Sequence, residues 1–233
     1  MSHSLHRGFH NPSARCGCRT RMVRNVQPEL LDSLPPDDPE AVRSRRDLRR
    51  LDRWLGNSRW ILKRVTADGH AASGVVELGA GDGRLCSQLQ AALPDTRVTG
   101  IDLNPKPAGI DHGIRWIEGN LFESADAMRG GVCVASLVLH HFDTEALRVL
   151  GGLMRGCSSL IFCEPLRSRT PLICSMIAAP FVGPVTRHDM PASIRAGFVP
   201  GELADLLALD RGSWRIHEHA TLRGILRFHA TQR

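Results

Sequence analysis

The sequence predicts an α/β fold: a doubly wound, mostly parallel sheet with helices on both faces, preceded by N-terminal helices. Three observations predict it. Val75-Val76-Glu77-Leu78 is an apolar strand that runs straight into Gly79-Ala80-Gly81-Asp82-Gly83 and then into an amphipathic helix from Arg84. About twenty residues on, Val98-Thr99-Gly100-Ile101-Asp102 reads as a second buried strand ending in an acid. From residue 74 onward, strand patterns alternate with helical ones, the order that lays parallel strands side by side.

The elements follow in order. Residues 1–27 are basic, rich in Ser, Asn and His, and lack helical periodicity; they read as a disordered tail. Their Arg-rich, acid-poor character also allows a transit peptide, and Met22 offers an alternative start. Cys16-x-Cys18 with His3, His6 and His10 is a poor match to structural zinc spacing, and no metal site is expected. Residues 28–69 read as a helical segment. Pro35-Pro36-Asp37-Asp38-Pro39 is a turn with capping acids before a helix over Glu40–Leu55, with Leu48, Leu51 and Leu55 forming its apolar stripe. Gly56-Asn57 ends it, and Ser58 is placed to cap a second helix to Thr66.

The domain proper is expected over residues 70–233. Its strands are read at Val75–Leu78, Arg97–Asp102, Ile114–Glu118, Val132–Leu137 and Leu160–Glu164, with helices at Arg84–Ala92 and Thr144–Arg155. A Pro-containing insertion spans residues 166–199. A short helix from Pro200-Gly201-Glu202-Leu203 and a closing hairpin, Trp214–His219 with Leu222–His229, complete the chain.

Composition narrows the class. At 233 residues and 42% hydrophobic content one full-core domain is expected. The net charge of +6 is uneven: residues 1–66 hold 14 Lys/Arg against 7 Asp/Glu, the rest 16 against 17. The basic excess therefore belongs to the N-terminal segment, where a solvated arginine-rich helix is the plain reading and contact with nucleic acid or an anionic membrane surface the sharper one. Seven cysteines without repeated spacing fit a reducing, cytoplasmic setting. The longest apolar run, Pro171 to Val185, is broken by Pro180, Gly183 and Pro184, and is too short to span a bilayer.

The glycine spacing selects the ligand. A dinucleotide fingerprint has its third glycine where Arg84 stands, whereas here the run is G-x-G-x-G with Glu77 two residues ahead. With Asp102 downstream, residues 70–230 resemble the class I, Rossmann-like S-adenosylmethionine (SAM)-dependent methyltransferases, nearest to the ubiquinone and menaquinone type acting on small molecules. The resemblance implies a seven-stranded sheet with an antiparallel last strand, N-terminal helices that fold over the cofactor as a lid, and SAM converted to S-adenosylhomocysteine (SAH). It also implies roles for particular residues. Gly79, Ala80 and Gly81 let backbone approach the ligand, and Glu77 pairs with its ammonium. Asp102 holds the ribose, Leu103 packs on the adenine, and Asn120 with Leu121 contacts the adenine edge, an asparagine where the family usually has aspartate. Ser136 lines the methionine end. Trp54, Asn57 or Trp60 can face the site from the lid, though core packing is the simpler reading of the tryptophans.

Ser136-Leu137-Val138-Leu139-His140-His141-Phe142 follows the fourth strand and resembles the same enzymes. His141 and His140 are candidate general bases, since imidazole titrates near working pH; structural roles for both remain open beside this. Glu164-Pro165 ends the fifth strand at the same rim. The insertion reads as a substrate lid whose apolar run can wall an aromatic or apolar pocket, and His188, beside Asp189, is a further candidate base. The N/D-P-P-[YF] motif of N-methyltransferases is absent after strand four. The expected activity is methyl transfer to oxygen or carbon of a small acceptor. The rivals are an RNA or protein methyltransferase using the basic helix, and a non-catalytic SAM-binding partner subunit.

Overall fold

The computed structural model describes residues 22–233. Reading the cysteine–histidine cluster of the first 18 residues as metal-free, and residues 1–21 as disordered, concerns a stretch outside the described residues. Seven strands form one sheet in the order β3-β2-β1-β4-β5-β7-β6. They are β1 (Val75–Leu78), β2 (Val98–Asp102), β3 (Arg115–Glu118), β4 (Val132–Ser136), β5 (Ser159–Pro165), β6 (Trp214–Ala220) and β7 (Ile225–Gln232). β1 pairs in parallel with β2 and β4, and β7 runs antiparallel to both β5 and β6. The last strand therefore reverses, as expected, and the chain order switches direction beside β1, where open α/β sheets bind their ligands.

Central strands β1, β4 and β5 are buried along nearly their whole length, which is why their sequences are apolar runs and not alternating ones. On one face Phe162 and Phe228 stack at 5.5 Å and join Leu78, Leu139 and Phe198 in the larger core. Each such fully buried side chain contributes about 1.5–3 kcal/mol. On the other face α3 (Asn57–Thr66) and α4 (Arg84–Ala92) cover Val75, Val134 and Ile161 with Ile61, Val65 and Leu89.

Ahead of the sheet lie α1 (Leu30–Ser33) and α2 (Pro39–Leu55). Asp38 caps α2 by accepting from the Glu40 and Ala41 amides, as the acids there suggested. The leucine stripe carries only part of the packing: Leu55 packs on the core beneath α3 and α4, whereas Leu48 is exposed and the buried residues of α2 are Ala41, Ser44 and Asp47. Polar partners from the insertion explain the difference, since Thr186 Oγ1 donates to Ser44 Oγ at 3.0 Å and the Gly183 amide to Asp47 Oδ2 at 2.7 Å. Nor does Ser58 cap α3; it donates its amide and hydroxyl back to Asp52, and α3 starts at Asn57 behind a left-handed Gly56.

The insertion is helical: α6 (Arg169–Ala178) and α7 (Pro184–Ala196) follow α5 (Thr144–Met154), and α8 (Glu202–Leu206) precedes the hairpin. α7 packs on α1, α2 and α6. Residues 22–27, read as part of a disordered tail, lie in place without helix or strand. Arg24 donates to the carbonyls of Ala196, His140 and Phe142, and buried Arg167 donates to Met22 O. Charged side chains seeking buried carbonyls hold this strap, which runs on through Glu29 to the start of α1, a form of ordering that apolar periodicity does not display.

Candidate functional site

Two rims at the C-terminal edge of the sheet concentrate polar groups. The first is the glycine loop between β1 and α4. Gly79 and Gly81 are left-handed, with φ of 60° and 54°, a region that side chains rarely adopt. A Cβ on Gly79 would also sit 2.6 Å from Val138. The Gly81 amide donates to Asp102 Oδ2 at 2.7 Å, while Asp102 Oδ1 accepts from the Asn104 amide and side chain. Asp102 thus ties the loop to the end of β2, which leaves part of its lone-pair capacity for a ligand hydroxyl. Leu103 beside it is exposed, and Ala80 is buried under the loop.

Glu77 is buried, its Oε2 has no hydrogen-bond partner, and desolvation raises its pKa to about 8. An orphaned carboxylate at that point is what a ligand ammonium would satisfy. With the bare glycine backbone beside it, the rim fits an adenosyl group ending in an amino acid. Asn57, fully buried, likewise has neither Oδ1 nor Nδ2 paired. From the N-terminal segment Arg49 reaches Asp82 of the loop at 3.1 Å, so α2 does touch this rim. Trp54 is exposed with Arg223 over its ring, and Trp60 is half-buried between Arg64, Arg227 and His219.

Asn120 has a different employment from the one expected of it. Its Oδ1 accepts from the Phe122 amide at 3.1 Å and starts a helical turn, while Leu121 points into the core. One lone pair of the amide oxygen caps the turn directly after β3, and the other lone pair and the two amide donors are left over.

The second rim lies between β4 and β5. Ser136 ends β4, half-buried, and Leu137 follows in the left-handed region at φ 60°, which costs a non-glycine residue roughly 1–2 kcal/mol. Glu164 holds the strained turn. One oxygen accepts from the Val138 and Leu139 amides at 3.0 and 2.8 Å, the other from the His140 amide at 3.2 Å and lies 2.8 Å from His140 Nδ1. His140 is buried, and its Nε2 lies 3.4 Å from Glu29 of the strap. Burial alone would lower its pKa; the bonds to Glu164 and Glu29 outweigh that and raise it to about 9. His141 is partly exposed and pairs through Nδ1 with Asp32 at 3.2 Å. The two imidazoles lie side by side, with ring centroids 4.3 Å apart.

His188 does not join them by any bond. It is mostly exposed on α7 and pairs with its neighbour Asp189 at 2.9 Å, whose carboxylate also receives the Leu30 and Leu31 amides of α1. Glu29 and Arg24 were missed by sequence reasoning, Asp189 was seen only as the neighbour of His188, and Glu164 only as a rim residue. A carboxylate at the very end of an otherwise apolar strand was the one signal present for Glu164.

Two cavities, about 440 and 610 Å³, open beside α2. The first is lined by Arg43, Arg46, Arg50 and Phe181, the second by the α2–α3 corner and α4; neither is lined by Gly79, Gly81, Asp102 or the histidines. Ile173, Met176, Ile177 and Phe181 expose an apolar stripe along α6 and the turn after it.

No protein-family model matches the sequence, and no curated protein matches it. Solved structures do. The plantazolicin methyltransferase BpumL in complex with SAH is similar with a TM-score of 0.62 at 13% identity, over 84% of this chain and 91% of that one. The plantazolicin methyltransferase BamL, with SAH and a triazolic desmethyl analogue, reaches 0.66 at 13% identity over 87% and 92%. Human N-acetylserotonin methyltransferase in complex with SAM gives 0.57 at 18% identity, over 86% of this chain and 61% of that one. At such identities the likeness is one of fold, and the fold of this chain is that of the class I SAM-dependent methyltransferases.

Proposed function

We propose that this protein is a SAM-dependent methyltransferase that methylates oxygen or carbon of a small, aromatic or otherwise apolar acceptor. The observation that carries the reading is the first rim: a left-handed glycine loop tied to Asp102 beside the buried carboxylate of Glu77, whose Oε2 has no hydrogen-bond partner. The similar structures support it, since their own names describe methyltransferases with SAM or SAH bound. When bound, SAM supplies an electrophilic methyl group on a positively charged sulfur.

The chain's residues would divide the work. Glu77 takes the ammonium, Gly79, Ala80 and Gly81 lend backbone, and Asp102 receives the ribose. Leu103, exposed, covers the adenine; Asn120 and Leu121 contribute at its edge through whatever the turn leaves free; Ser136 borders the methionine end. Holding the acceptor in line at near-contact distance supplies much of the rate in such a transfer. An acceptor phenol, with a pKa near 10, gains from a base. Of the three histidines His141 is placed best for that task, being partly exposed, whereas His140 has both ring nitrogens facing carboxylates and His188 stands on the outside of α7. The helical cap of α2, α6 and α7, with its apolar stripe, would wall the acceptor and exclude water. Among the described residues no helix is long and apolar enough to cross a membrane, and the five cysteines are free thiols, in keeping with a cytoplasmic enzyme.

Incubation with methyl-labelled SAM and fractionated extract of the source cells tests the reading. Label is expected in the organic phase; label in RNA or protein instead would overturn the small-molecule assignment, and SAM binding without transfer would point to a non-catalytic subunit. With the product identified, His141→Ala is expected to slow turnover at least tenfold at unchanged SAM affinity. Full activity in that variant removes His141 as the base.

A further inference from the structure

Glu29, His140 and His141 offer one ligand-type atom each, all within 4.8 Å of one another. They come from the strap and from the turn after β4. Behind each histidine stands a carboxylate: Glu164 Oε2 at 2.8 Å from His140 Nδ1, and Asp32 Oδ2 at 3.2 Å from His141 Nδ1. Ser193 donates its hydroxyl to Glu29 from α7. A carboxylate facing Nδ1 fixes the ring proton on that nitrogen and leaves Nε2 as a lone pair. In neutral His140 that lone pair then meets Glu29 Oε1 across 3.4 Å, two electron-rich atoms in a buried site. Only a cation between them makes the arrangement favourable: a second proton, or a metal ion.

The surroundings select between the two. A proton needs one donor and one acceptor, and His140 with Glu29 would suffice. The cluster adds a second imidazole in van der Waals contact with the first, and places a carboxylate behind that ring too. Paired carboxylate–histidine units converging on one further carboxylate are the arrangement that orients imidazole ligands on a metal and raises their basicity. We propose that Glu29 Oε1, His140 Nε2 and a ring nitrogen of His141 form a binding site for a divalent transition metal of the zinc class. Glu164, Asp32 and Ser193 are its outer partners. Imidazole with carboxylate suits zinc at about 2.0–2.2 Å per ligand, and three protein ligands leave a fourth position for water. Calcium and magnesium, which take oxygen donors, do not fit two nitrogens. The loaded site pins the strap to the β4–β5 rim; it does not depend on SAM binding, and with the ion in place His141 serves as a ligand and not as the general base of the proposed transfer.

The test uses the full chain, stripped with a chelator and titrated with zinc and with cobalt by calorimetry and visible absorption. One ion per chain is expected at this site, with cobalt bands that lack thiolate charge transfer. Zinc should raise the melting temperature. A Cys16→Ser/Cys18→Ser variant should keep all of this, which separates the site from the N-terminal cysteines. Glu29→Gln and His141→Asn, each checked for native circular dichroism, should each weaken zinc at least tenfold and abolish the thermal shift; Asp32→Asn should weaken it about tenfold. Should Glu29→Gln not fold, the partly exposed His141→Asn carries the comparison. Absence of a retained ion, retention unchanged in His141→Asn, or loss of all binding with the two cysteines would overturn the proposal and leave a proton in the gap.

Discussion

The two rims of the sheet are built by opposite means. The glycine loop is assembled from contiguous chain: strand, left-handed turn and helix, with Asp102 on the adjacent strand tying the loop to it. The histidine turn is held from a distance, by Glu164 from β5, Glu29 and Arg24 from the strap, and by α7 packed over it. The first rim leaves Glu77 Oε2 without a partner beside bare glycine backbone; the second gathers carboxylates from two distant parts of the chain around His140. The lesson is that two polar clusters at one sheet edge differ in kind. One is built from neighbours along the chain, and the other from side chains that only the fold brings together.

Substitutions sharpen the contrast. The largest effect is expected from Glu164→Ala, which strips acceptors from three amides and leaves His140 one carboxylate short. Losing one partner of a buried charged network costs about 3–5 kcal/mol, or a fall of about 6–20 °C in melting temperature for a domain of this size. A shift below about 2 °C would put Glu164 outside the anchor.

Glu77 should act through pH. With its pKa raised to about 8 by desolvation, the folded ligand-free protein keeps a proton that the unfolded chain gives up in the ordinary carboxylate range. Its contribution to stability is therefore full below that range and is lost as pH climbs to about 8. Denaturant unfolding between pH 5 and 8 should show this slope, and Glu77→Gln should flatten it. Stabilisation by SAM should be larger at pH 8 than at pH 6, because the ionised carboxylate is the partner of the ammonium; equal thermal shifts at both pH values would contradict the pairing.

Asp102→Ala is expected to weaken SAM by about 1–3 kcal/mol in calorimetry, for lost charged hydrogen bonds and a loosened Gly81. Unchanged affinity would remove the ribose assignment. His188→Ala should move stability by less than about 0.5 kcal/mol, as exposed positions do, and leave SAM affinity alone. A larger loss would mean that Asp189 needs its histidine in order to hold α1.

Much of this was legible beforehand. The β1 strand, the α4 helix, the two acids and the closing hairpin follow from short-range patterns; β1 and α4 fall on their expected bounds, while the last strand starts and ends three residues later than read. The α2 packing was misread because its buried face is polar: Ser44 and Asp47 look like surface residues until Thr186 and Gly183 arrive to bond them. Asn120, read as a ligand contact with a turn role beside it, caps the turn after β3, a bond that the amide two residues on decides. The strap was read as disordered because what orders it, Arg24 on three carbonyls, leaves no period in the sequence.

By itself, then, the sequence determined the order of strands and helices, the left-handed glycine turn and the carboxylates at the ends of the first two strands. Each depends on backbone conformation and on neighbours a few residues away. Only the tertiary structure decided which histidine is buried between carboxylates, which is half open, and which faces solvent. Partners such as Glu29, Asp32 and Glu164 lie far from the histidines along the chain, and the side chain's environment, not its identity, sets whether an imidazole anchors, ligates or reacts.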